Sequence, residues 1–409
     1  MRSSGRIAVA LWIVLVGVCV VGATDWPQFR GPARNGTSPE TGLMKQWPQG
    51  GPVELWSCEG LGWGYSSPAV AGGVAYTCGM IRDQGYLFAI DSRGKVKYKV
   101  NYGSEWDKAG NSPGTRTTPT IDGDRLYIMS GRGRIACHNA ASGDRIWSVD
   151  TPEKFGGKNI RWGIAESVLV DGDRVICTPG GKDAAVVALN KMTGETIWTS
   201  KGLSQLSAYC SPILVERGSS RLVVTLVEKA LAGIDANTGR VCWVVPHEVS
   251  YDIQAVSPLY GDGMIFVTNG YRHGSQGFAL SPDGMNAEQK WSQKALDVHH
   301  GGVVLVEGRV HGANSRGEWV CVDLATGKVA FTAKLAGKGS VIYADGMLYG
   351  YGESGKVGLT KIKPDGYELV SSFAVKKGSN EHWAHPAISD GRLYIRHGDT
   401  LLCYNIKAG

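Results

Sequence analysis

Leu169-Val-Asp-Gly-Asp-Arg-Val-Ile176 and, further along, Ala188-Leu-Asn-Lys-Met-Thr-Gly-Glu-Thr-Ile-Trp198 are the two stretches of sequence that decide the fold. In each stretch, apolar residues flank a short turn that contains glycine. That arrangement is typical of a β-hairpin with a tight turn. Two hairpins in succession predict four antiparallel strands, of which the last carries a tryptophan.

The same unit recurs along the chain, which predicts a repeat protein. The turn of the first hairpin falls near eight positions, namely residues 72, 123, 172, 218, 262, 308, 345 and 391. In the close copies of the second hairpin, a turn glycine lies four residues before an aromatic residue, as at Gly143, Gly194, Gly239 and Gly327. Four strands in every repeat of about 40 to 50 residues are the signature of a β-propeller blade.

The two ends of the repeat region predict how the ring closes. The eighth repeat stops at Cys403-Tyr-Asn-Ile-Lys-Ala-Gly409 without its last strand, whereas Val53-Glu-Leu-Trp-Ser-Cys58 is a lone strand before the first full repeat. Pairing the two removes an open sheet edge. We therefore predict an all-β fold, an eight-bladed β-propeller of four-stranded antiparallel blades that is closed by an N-terminal strand completing the last blade. A seven-bladed ring is the alternative, because the sixth spacing is uneven.

The first residues have the pattern of an export signal. Arginines precede an apolar run from Ile7 to Ala23, which ends in small residues that resemble a cleavage site. We interpret 1–23 as a signal peptide, 24–51 as an N-terminal extended segment and 52–409 as the propeller. This predicts an exported protein, periplasmic or extracellular, with no membrane span after cleavage. An uncleaved membrane anchor is the alternative, because the run is near the shortest length that spans a bilayer.

Charge and cysteine content argue against two classes of protein. The formal net charge is +6 and no run of five lysines and arginines occurs, so we predict no nucleic-acid partner. Of the nine cysteines, one lies in the signal, and the other eight are neither adjacent nor in C-x-x-C spacing. Most of them sit in apolar strand patterns, which favours small buried side chains over metal ligands. Export would permit disulfides, whose pairing the sequence leaves open.

The candidate site lies where the innermost strand of each blade begins, because the residues just before that strand converge on the central channel. Nine side chains at these positions are candidate ligand-binding residues: Tyr65, Arg116, Trp162, Glu166, Tyr209, Gln254, His299, His300 and His385. Aromatic rings and histidines around a concavity are typical of a ligand site. The alternative is that they cap the channel and bind water. Catalytic residues stay unassigned.

Loops on the same face bear on the charge of a ligand. They carry eight basic residues, which in one ring would favour an anionic ligand: Arg82, Arg132, Arg134, Lys182, Lys229, Arg272, Arg316 and Lys356. Acids lie in the same loops, so a solvated rim of mixed charge is the alternative. Two histidine pairs, at 299–300 and at 382 and 385, could meet across the channel. Their spacing does not demand the fixed geometry that a metal needs, so no metal site is predicted.

The unit that ends at Trp198 resembles the tryptophan-docking repeat of the pyrroloquinoline quinone (PQQ) propeller superfamily. That superfamily includes quinoprotein alcohol dehydrogenases and the propeller lipoprotein of the Bam outer-membrane assembly complex. The opening Asp25-Trp-Pro-Gln-Phe-Arg-Gly-Pro32 also resembles the N-terminus of exported propellers of planctomycete-type bacteria. The resemblance spans 25–409 and implies the fold, whereas one fold hosts unrelated functions.

Three functions follow from these patterns and from the resemblance. The first, which we favour, is an exported non-catalytic scaffold of the cell envelope that binds an envelope protein, an anionic small molecule or a polysaccharide. The second is a PQQ-dependent alcohol or polyol dehydrogenase, for which the resemblance implies PQQ with calcium. The resemblance also implies a vicinal cysteine pair, which this sequence lacks. The third is a polysaccharide-binding propeller, whose loop tryptophans would stack on sugars: Trp63, Trp106, Trp162 and Trp383. We expect a monomer.

Overall fold

The computed structural model describes residues 24–108, 110 and 112–409, so the predicted signal peptide lies outside the described residues. Eight sheets are arranged as the blades of a β-propeller, which confirms the eight-bladed prediction. Within the described ranges, helix is confined to an α-helix, Thr151–Phe155, and a 3₁₀ turn, Ser250–Asp252. In that same part of the chain no helix has the length and apolar character needed to cross a membrane.

The strands are numbered in chain order. The first half of the ring contains β1 (Thr37–Ser38), β2 (Val53–Cys58), β3 (Ala69–Ala71), β4 (Val74–Ile81), β5 (Gln84–Ile90), β6 (Val96–Ser104), β7 (Thr120–Asp122), β8 (Arg125–Met129), β9 (Arg134–Asn139), β10 (Arg145–Asp150), β11 (Leu169–Asp171), β12 (Arg174–Cys177), β13 (Val187–Asn190), β14 (Thr196–Thr199), β15 (Ile213–Arg217), β16 (Ser220–Val227), β17 (Ala230–Asp235) and β18 (Val241–Pro246).

The second half contains β19 (Leu259–Gly261), β20 (Met264–Asn269), β21 (Gly274–Leu280), β22 (Ala287–Gln293), β23 (Val304–Val306), β24 (Arg309–Ala313), β25 (Glu318–Asp323), β26 (Val329–Lys334), β27 (Gly339–Ala344), β28 (Met347–Gly352), β29 (Lys356–Lys363), β30 (Gly366–Ala374), β31 (Ala387–Ser389), β32 (Arg392–His397) and β33 (Thr400–Asn405).

Each blade is an antiparallel meander whose first strand lies next to the channel. Six blades consist of four consecutive strands: β3–β6, β7–β10, β11–β14, β15–β18, β19–β22 and β23–β26. The seventh is β27–β30, and the short β1 adds to its innermost strand in parallel. We term the face at which the innermost strands begin the upper face. The opposite, lower face carries the tight turns that follow these strands.

The ring closes through the predicted N-terminal strand. The eighth sheet has the order β2-β33-β32-β31, and β2 runs antiparallel to β33 from the pair Val53–Asn405 to the pair Cys58–Leu401. Trp56 takes the place of the missing aromatic residue of the last repeat. Its indole N–H donates to the carbonyl of Ser92 in the next blade at 3.0 Å. The outermost strand of the last blade is therefore supplied by residues that precede the first blade.

The hydrophobic core lies between neighbouring sheets. Tyr127 and Ile135 of one blade, for example, cluster with Val175 and Cys177 of the next. Because each sheet packs on both faces, the middle strands are nearly continuous runs of buried residues. The eight cysteines of the described residues are unpaired, and seven of them are buried. This agrees with their interpretation as small core side chains.

In several blades a tryptophan of the outer strand joins the blade to the next one. Four indole N–H groups donate to backbone carbonyls of the following blade at 3.0–3.1 Å: Trp147 to Lys191, Trp198 to Ala236, Trp243 to Gly284 and Trp291 to Leu324. A Cβ added to Gly239 would lie 2.6 Å from the Trp198 ring, and one added to Gly194 would lie 2.8 Å from that of Trp147. The repeated turn glycine is thus required because it receives the tryptophan of the preceding blade.

Replacing a docked tryptophan should weaken the whole ring. We expect Trp198→Ala to lower the free energy of unfolding by about 3–5 kcal/mol, because the substitution removes a buried ring and leaves a cavity between two blades. Urea titration of the full-length chain measures this change. Trp63→Ala is the matched control, since the Trp63 side chain is 51% exposed, and it should change stability little. Equal stability of Trp198→Ala and wild type would contradict the docking role.

Candidate functional site

The N-terminal segment fills the lower part of the channel. Residues 24–40 enter from the lower face and return to it: the Ser389 hydroxyl donates to the Thr24 carbonyl, and the Gly391 N–H donates to the Glu40 carboxylate, both at 2.8 Å. Between these points the segment contacts the innermost strand, or the residues leading into it, in seven of the eight blades. The segment is therefore a plug held by the ring.

Two buried arginines fix this plug. The Arg34 guanidinium donates to the carbonyls of Ser167 (2.6 Å) and Pro212 (2.9 Å), and Arg30 donates to the carbonyl of Val303. Burial lowers the pKa of both arginines to about 10, so both remain charged at neutral pH. Backbone carbonyls of different blades thus converge on cations that the plug supplies.

A pocket of about 260 Å³ opens on the upper face. Its lining residues come from the plug and from seven of the eight blades, all except β27–β30. Eight lining residues are not among the nine candidates named above, although Trp383 was named as a tryptophan that could stack on sugars: Phe29, Ser67, Ser112, Ala165, Ile253, Ala255, Tyr271 and Trp383. Because Phe29 of the plug lines this pocket, the channel is closed below it, and the pocket opens on the upper face alone. Small ligands are usually bound in cavities of this shape.

The structure brings seven of the nine predicted residues together around this pocket: Tyr65, Arg116, Trp162, Tyr209, His299, His300 and His385. They lie in six different blades, at the position just before the innermost strand that the repeat pattern indicates. Their convergence is a consequence of the blade topology. That they bind a ligand stays a prediction.

Glu166 and Gln254 do not line the pocket. Both are fully buried, and in each case a direct neighbour faces the cavity, Ala165 beside Glu166 and Ala255 beside Gln254. Successive side chains of extended backbone point to opposite sides, so the pocket neighbours leave these two facing away. The Glu166 carboxylate instead accepts the N–H of Thr178 at 2.8 Å. The expectation that Glu166 and Gln254 ring the channel mouth is therefore wrong.

Aromatic rings form most of the pocket wall. Trp383 is packed against Tyr65 on one side, with ring centroids 4.8 Å apart, and against His300 on the other at 5.1 Å. Trp162 and Tyr209 meet edge to face at 6.0 Å. Such walls give a ligand large apolar contact area and favour flat ring systems.

One stretch of the wall is polar and carries the pocket's cation. Arg116 donates to the carbonyls of Ser112 (2.7 Å) and Gly114 (3.2 Å), and its guanidinium lies over the ring of Tyr65 at 5.5 Å. The Tyr65 hydroxyl donates to Glu381 at 2.6 Å, and the Ser112 hydroxyl donates to the same carboxylate at 3.2 Å. Arg116 is thus positioned by backbone carbonyls and an aromatic ring.

His299, His300 and Glu353 place their donor atoms within 4.8 Å of one another, close enough to share a metal ion. The ammonium of Lys338 lies among them, 2.9 Å from Glu353 and 3.2 Å from the Nδ1 of His299. His300 Nε2 also donates to Glu353, at 2.6 Å. The Lys338 ammonium thus already contacts the carboxylate and one imidazole of this cluster, and it neutralises the charge of Glu353.

Burial holds the pocket histidines neutral. It lowers the pKa of His385 to about 3 and that of His299 to about 4, and it lowers the pKa of His300 as well. Burial alone would raise the pKa of Glu353, but hydrogen bonds from His300 and Lys338 outweigh it and hold that pKa at about 2. At neutral pH the imidazoles are therefore uncharged and the Lys338–Glu353 ion pair is formed.

Two tyrosines at the rim have left-handed backbone conformations. Tyr251 (φ 62°) and Tyr271 (φ 58°) each precede a second non-glycine residue with positive φ, Asp252 and Arg272. The two rings meet edge to face at 5.6 Å, and Tyr251 is 71% exposed. Such conformations cost about 1–3 kcal/mol each and cluster at binding sites. The strain favours a functional interpretation of this rim.

Calcium-bound PQQ does not fit the residues present. The aromatic walls suit its flat ring, but PQQ carries three carboxylates and Arg116 is the cation that lines the pocket. Calcium requires several oxygen ligands, usually with free carboxylates. Glu353 is engaged by Lys338 and His300, and Glu381 by two hydroxyls. We derive no reaction step through this cofactor.

None of the eight basic loop residues, which in one ring would favour an anionic ligand, lines the pocket. Several pair locally instead, as Arg132 does with Asp107 at 3.0 Å. Of the four loop tryptophans, Trp162 and Trp383 line the cavity and the other two do not. Phe29 lies in the segment 25–32 quoted above, but it was not predicted as a site residue. Phe29 reaches the pocket because the plug runs through the channel, which no local pattern indicates.

Comparison with known proteins finds a matching family model. A family model described as outer membrane protein assembly factor BamB matches residues 83–333, more than half of the chain. BamB of Bordetella pertussis is 28% identical over 160 residues, which cover 38% of this chain and 38% of that protein. The matched part thus spans well under two thirds of the length of this relative.

Solved structures show the same fold. BamB from Moraxella catarrhalis matches with a TM-score of 0.62 and 14% identity over 87% of this chain and 98% of its own. Quinohemoprotein alcohol dehydrogenase from Comamonas testosteroni matches with a TM-score of 0.70 and 14% identity, over 94% of this chain and 81% of its own. At such identity the likeness concerns the fold alone.

Glu166 should make stability depend on pH. Burial raises the pKa of Glu166 to about 7, so the folded protein retains a proton that the unfolded chain has lost above its ordinary pKa of 4.5. The contribution of Glu166 to the free energy of unfolding should therefore fall as pH rises between these two values, whereas the buried histidines contribute in the opposite direction. Glu166→Gln stays neutral throughout, so the stability of wild type relative to this variant should fall across the range in urea titrations. Glu195→Gln, at an exposed position, should behave like wild type. A slope unchanged in Glu166→Gln would refute the assignment.

Proposed function

The chain belongs to the family described as outer membrane protein assembly factor BamB, within the PQQ-like β-propeller superfamily, and we propose that it is a ligand-binding propeller of the cell envelope. Its ligand would occupy the pocket at the upper mouth of the channel. The proposed role is that of a non-catalytic binding scaffold, in which the ring holds the binding residues in place and the pocket binds the ligand.

One observation carries this proposal. Side chains from seven blades and from the plug converge on a single concavity, and seven of them were expected there from the repeat pattern alone. A ring whose channel served only as a packing axis would not require an aromatic wall at its mouth. A strained rim that exposes Tyr251 beside this wall supports the same interpretation.

The state of the polar groups favours binding over covalent chemistry. The Glu353 carboxylate pairs with Lys338 and accepts from His300 Nε2 and from the indole N–H of Trp383 at 3.0 Å. Burial raises the pKa of the Cys210 thiol to about 11 and holds that of Cys177 well above its ordinary value, so neither thiol is an activated nucleophile at neutral pH. Neutral imidazoles and a stacked arginine then act through hydrogen bonds and ring contacts.

The cellular location is part of the proposal. The pattern of 1–23 is that of an export signal, and the relatives are named as outer membrane assembly factors. An exported propeller would work in the periplasm or outside the cell. An envelope protein is the second candidate partner, favoured by the outermost strand β2, which exposes Val53 (63%) and Leu55 (45%). Leu55→Glu should then abolish a photo-crosslink from β2 to an envelope protein and leave the pocket unchanged.

Ligand-observed NMR on the full-length chain tests the pocket. The probe is a library of small ring compounds, substituted benzenes and methyl pyranosides. We expect a subset to bind and to compete with one another, and Trp162→Ala to lose most of this binding, because it removes one wall without breaking the Lys338–Glu353 network. Trp63→Ala is the matched control on the same face, outside the pocket. No binding by wild type, or equal binding by Trp162→Ala, would overturn the proposal.

A further inference from the structure

The pocket contains one cation whose charge is not matched by a direct ion pair. Arg116 is partly buried, and it forms no ion pair with any acid of the described residues. Its partners are two backbone carbonyls and the face of Tyr65. Backbone carbonyls stabilise Arg116 as they do Arg30 and Arg34, but of these three arginines Arg116 lines the pocket, so its charge is open to an anionic ligand.

The hydrogen-bonding capacity of Arg116 is only partly used. A guanidinium offers five N–H donors in a rigid fork, and the chain accepts from two of its nitrogens, Nη1 and Nη2. The remaining donors match the planar geometry of a carboxylate. Glu381 lies beside this wall, but its two oxygens accept from Tyr65 and Ser112 and not from the guanidinium. Glu381 therefore leaves the remaining donors of Arg116 free.

The rest of the pocket adds no second free charge. His299, His300 and His385 are neutral at neutral pH, and Lys338 is paired with Glu353. The remaining wall consists largely of aromatic and aliphatic side chains, including Phe29. A ligand that fits these surfaces has an apolar face for the rings and a single anionic group for Arg116. A ligand with a second anionic group would have to bury that group against apolar side chains, which is unfavourable.

We propose that the pocket takes a small ring compound with a single carboxylate, whose ring stacks on the aromatic wall and whose carboxylate pairs with Arg116. This inference rests on the proposed binding function and specifies the ligand class of that site. The shared chemistry has two sources, an aromatic acid or a uronic acid sugar. Both present one carboxylate on a ring with an apolar face.

Calorimetry with matched pairs of probes tests the inference on the full-length chain. The aromatic pair is 2-naphthoate and 2-naphthamide, and the sugar pair is methyl glucuronoside and methyl glucoside. We expect the acid of one pair to bind about tenfold or more tightly than its neutral partner, which is the effect of one charge-assisted hydrogen-bonded pair. The pair that shows the preference identifies the source.

Variants separate the guanidinium from the pocket. Arg116→Met should abolish the preference for the acid while the neutral partner still binds, and Arg116→Lys should restore part of it, because the charge returns without the planar fork. Arg132→Met is the matched control: Arg132 also lies over a ring, that of Trp106 at 5.7 Å, but outside the pocket. It should keep the full preference. Urea titration checks that each variant is folded.

The failures of the two proposals are distinguishable. Equal affinity for acid and neutral partner would overturn the carboxylate inference and leave the binding pocket intact. Tighter binding of PQQ with calcium than of either acid would also overturn it. If no ring compound of either pair or of the fragment library binds, the proposed function itself is wrong. If Arg116→Met still prefers the acid, the carboxylate does not pair with Arg116, and the inference is wrong about the anion site.

Discussion

Pairing of β2 with β33 is the constraint on which the rest of the structure depends. A propeller of eight sheets is stable only when the last blade meets the first, because an open ring would expose an unpaired sheet face and a strand edge. Here the missing strand comes from residues ahead of the first blade. That arrangement ties both ends of the repeat region into one sheet, and it anchors the chain that precedes β2 beneath the ring.

The anchored segment then determines what the channel becomes. Residues 24–40 run into the channel and back, and Arg30 and Arg34 bind carbonyls that the innermost strands leave at the axis. Buried carbonyls need donors, and an arginine with several N–H groups can serve more than one blade at once. The plug therefore donates hydrogen bonds to backbone carbonyls near the axis of the ring, and it closes the channel at the lower face. What remains above is a cavity open to one side, with Phe29 in its lining.

Contacts between blades follow a different rule. In several blades an indole of the outer strand lies against the turn of the next blade, and a glycine leaves the space for it, as Gly239 does for Trp198. The glycine and the aromatic residue recur together in the sequence, but their partners lie in different repeats. The glycine and the aromatic residue of one repeat thus each contact a neighbouring repeat. For this reason the motif predicts an array of repeats and not an isolated hairpin.

By itself, the sequence determined the strands, the number of blades, the closing strand and the positions at the channel mouth, because these depend on local alternation and on a repeated turn. Seven of the nine candidate residues line the pocket, as that register predicts. The tertiary structure decided the rest: Glu166 and Gln254 face away because side chains alternate, whereas Phe29 reaches the pocket through a plug whose course no local pattern encodes. The pairing of Lys338 with Glu353 was likewise decided in space, because electrostatic partners are chosen by distance and burial and not by separation along the chain.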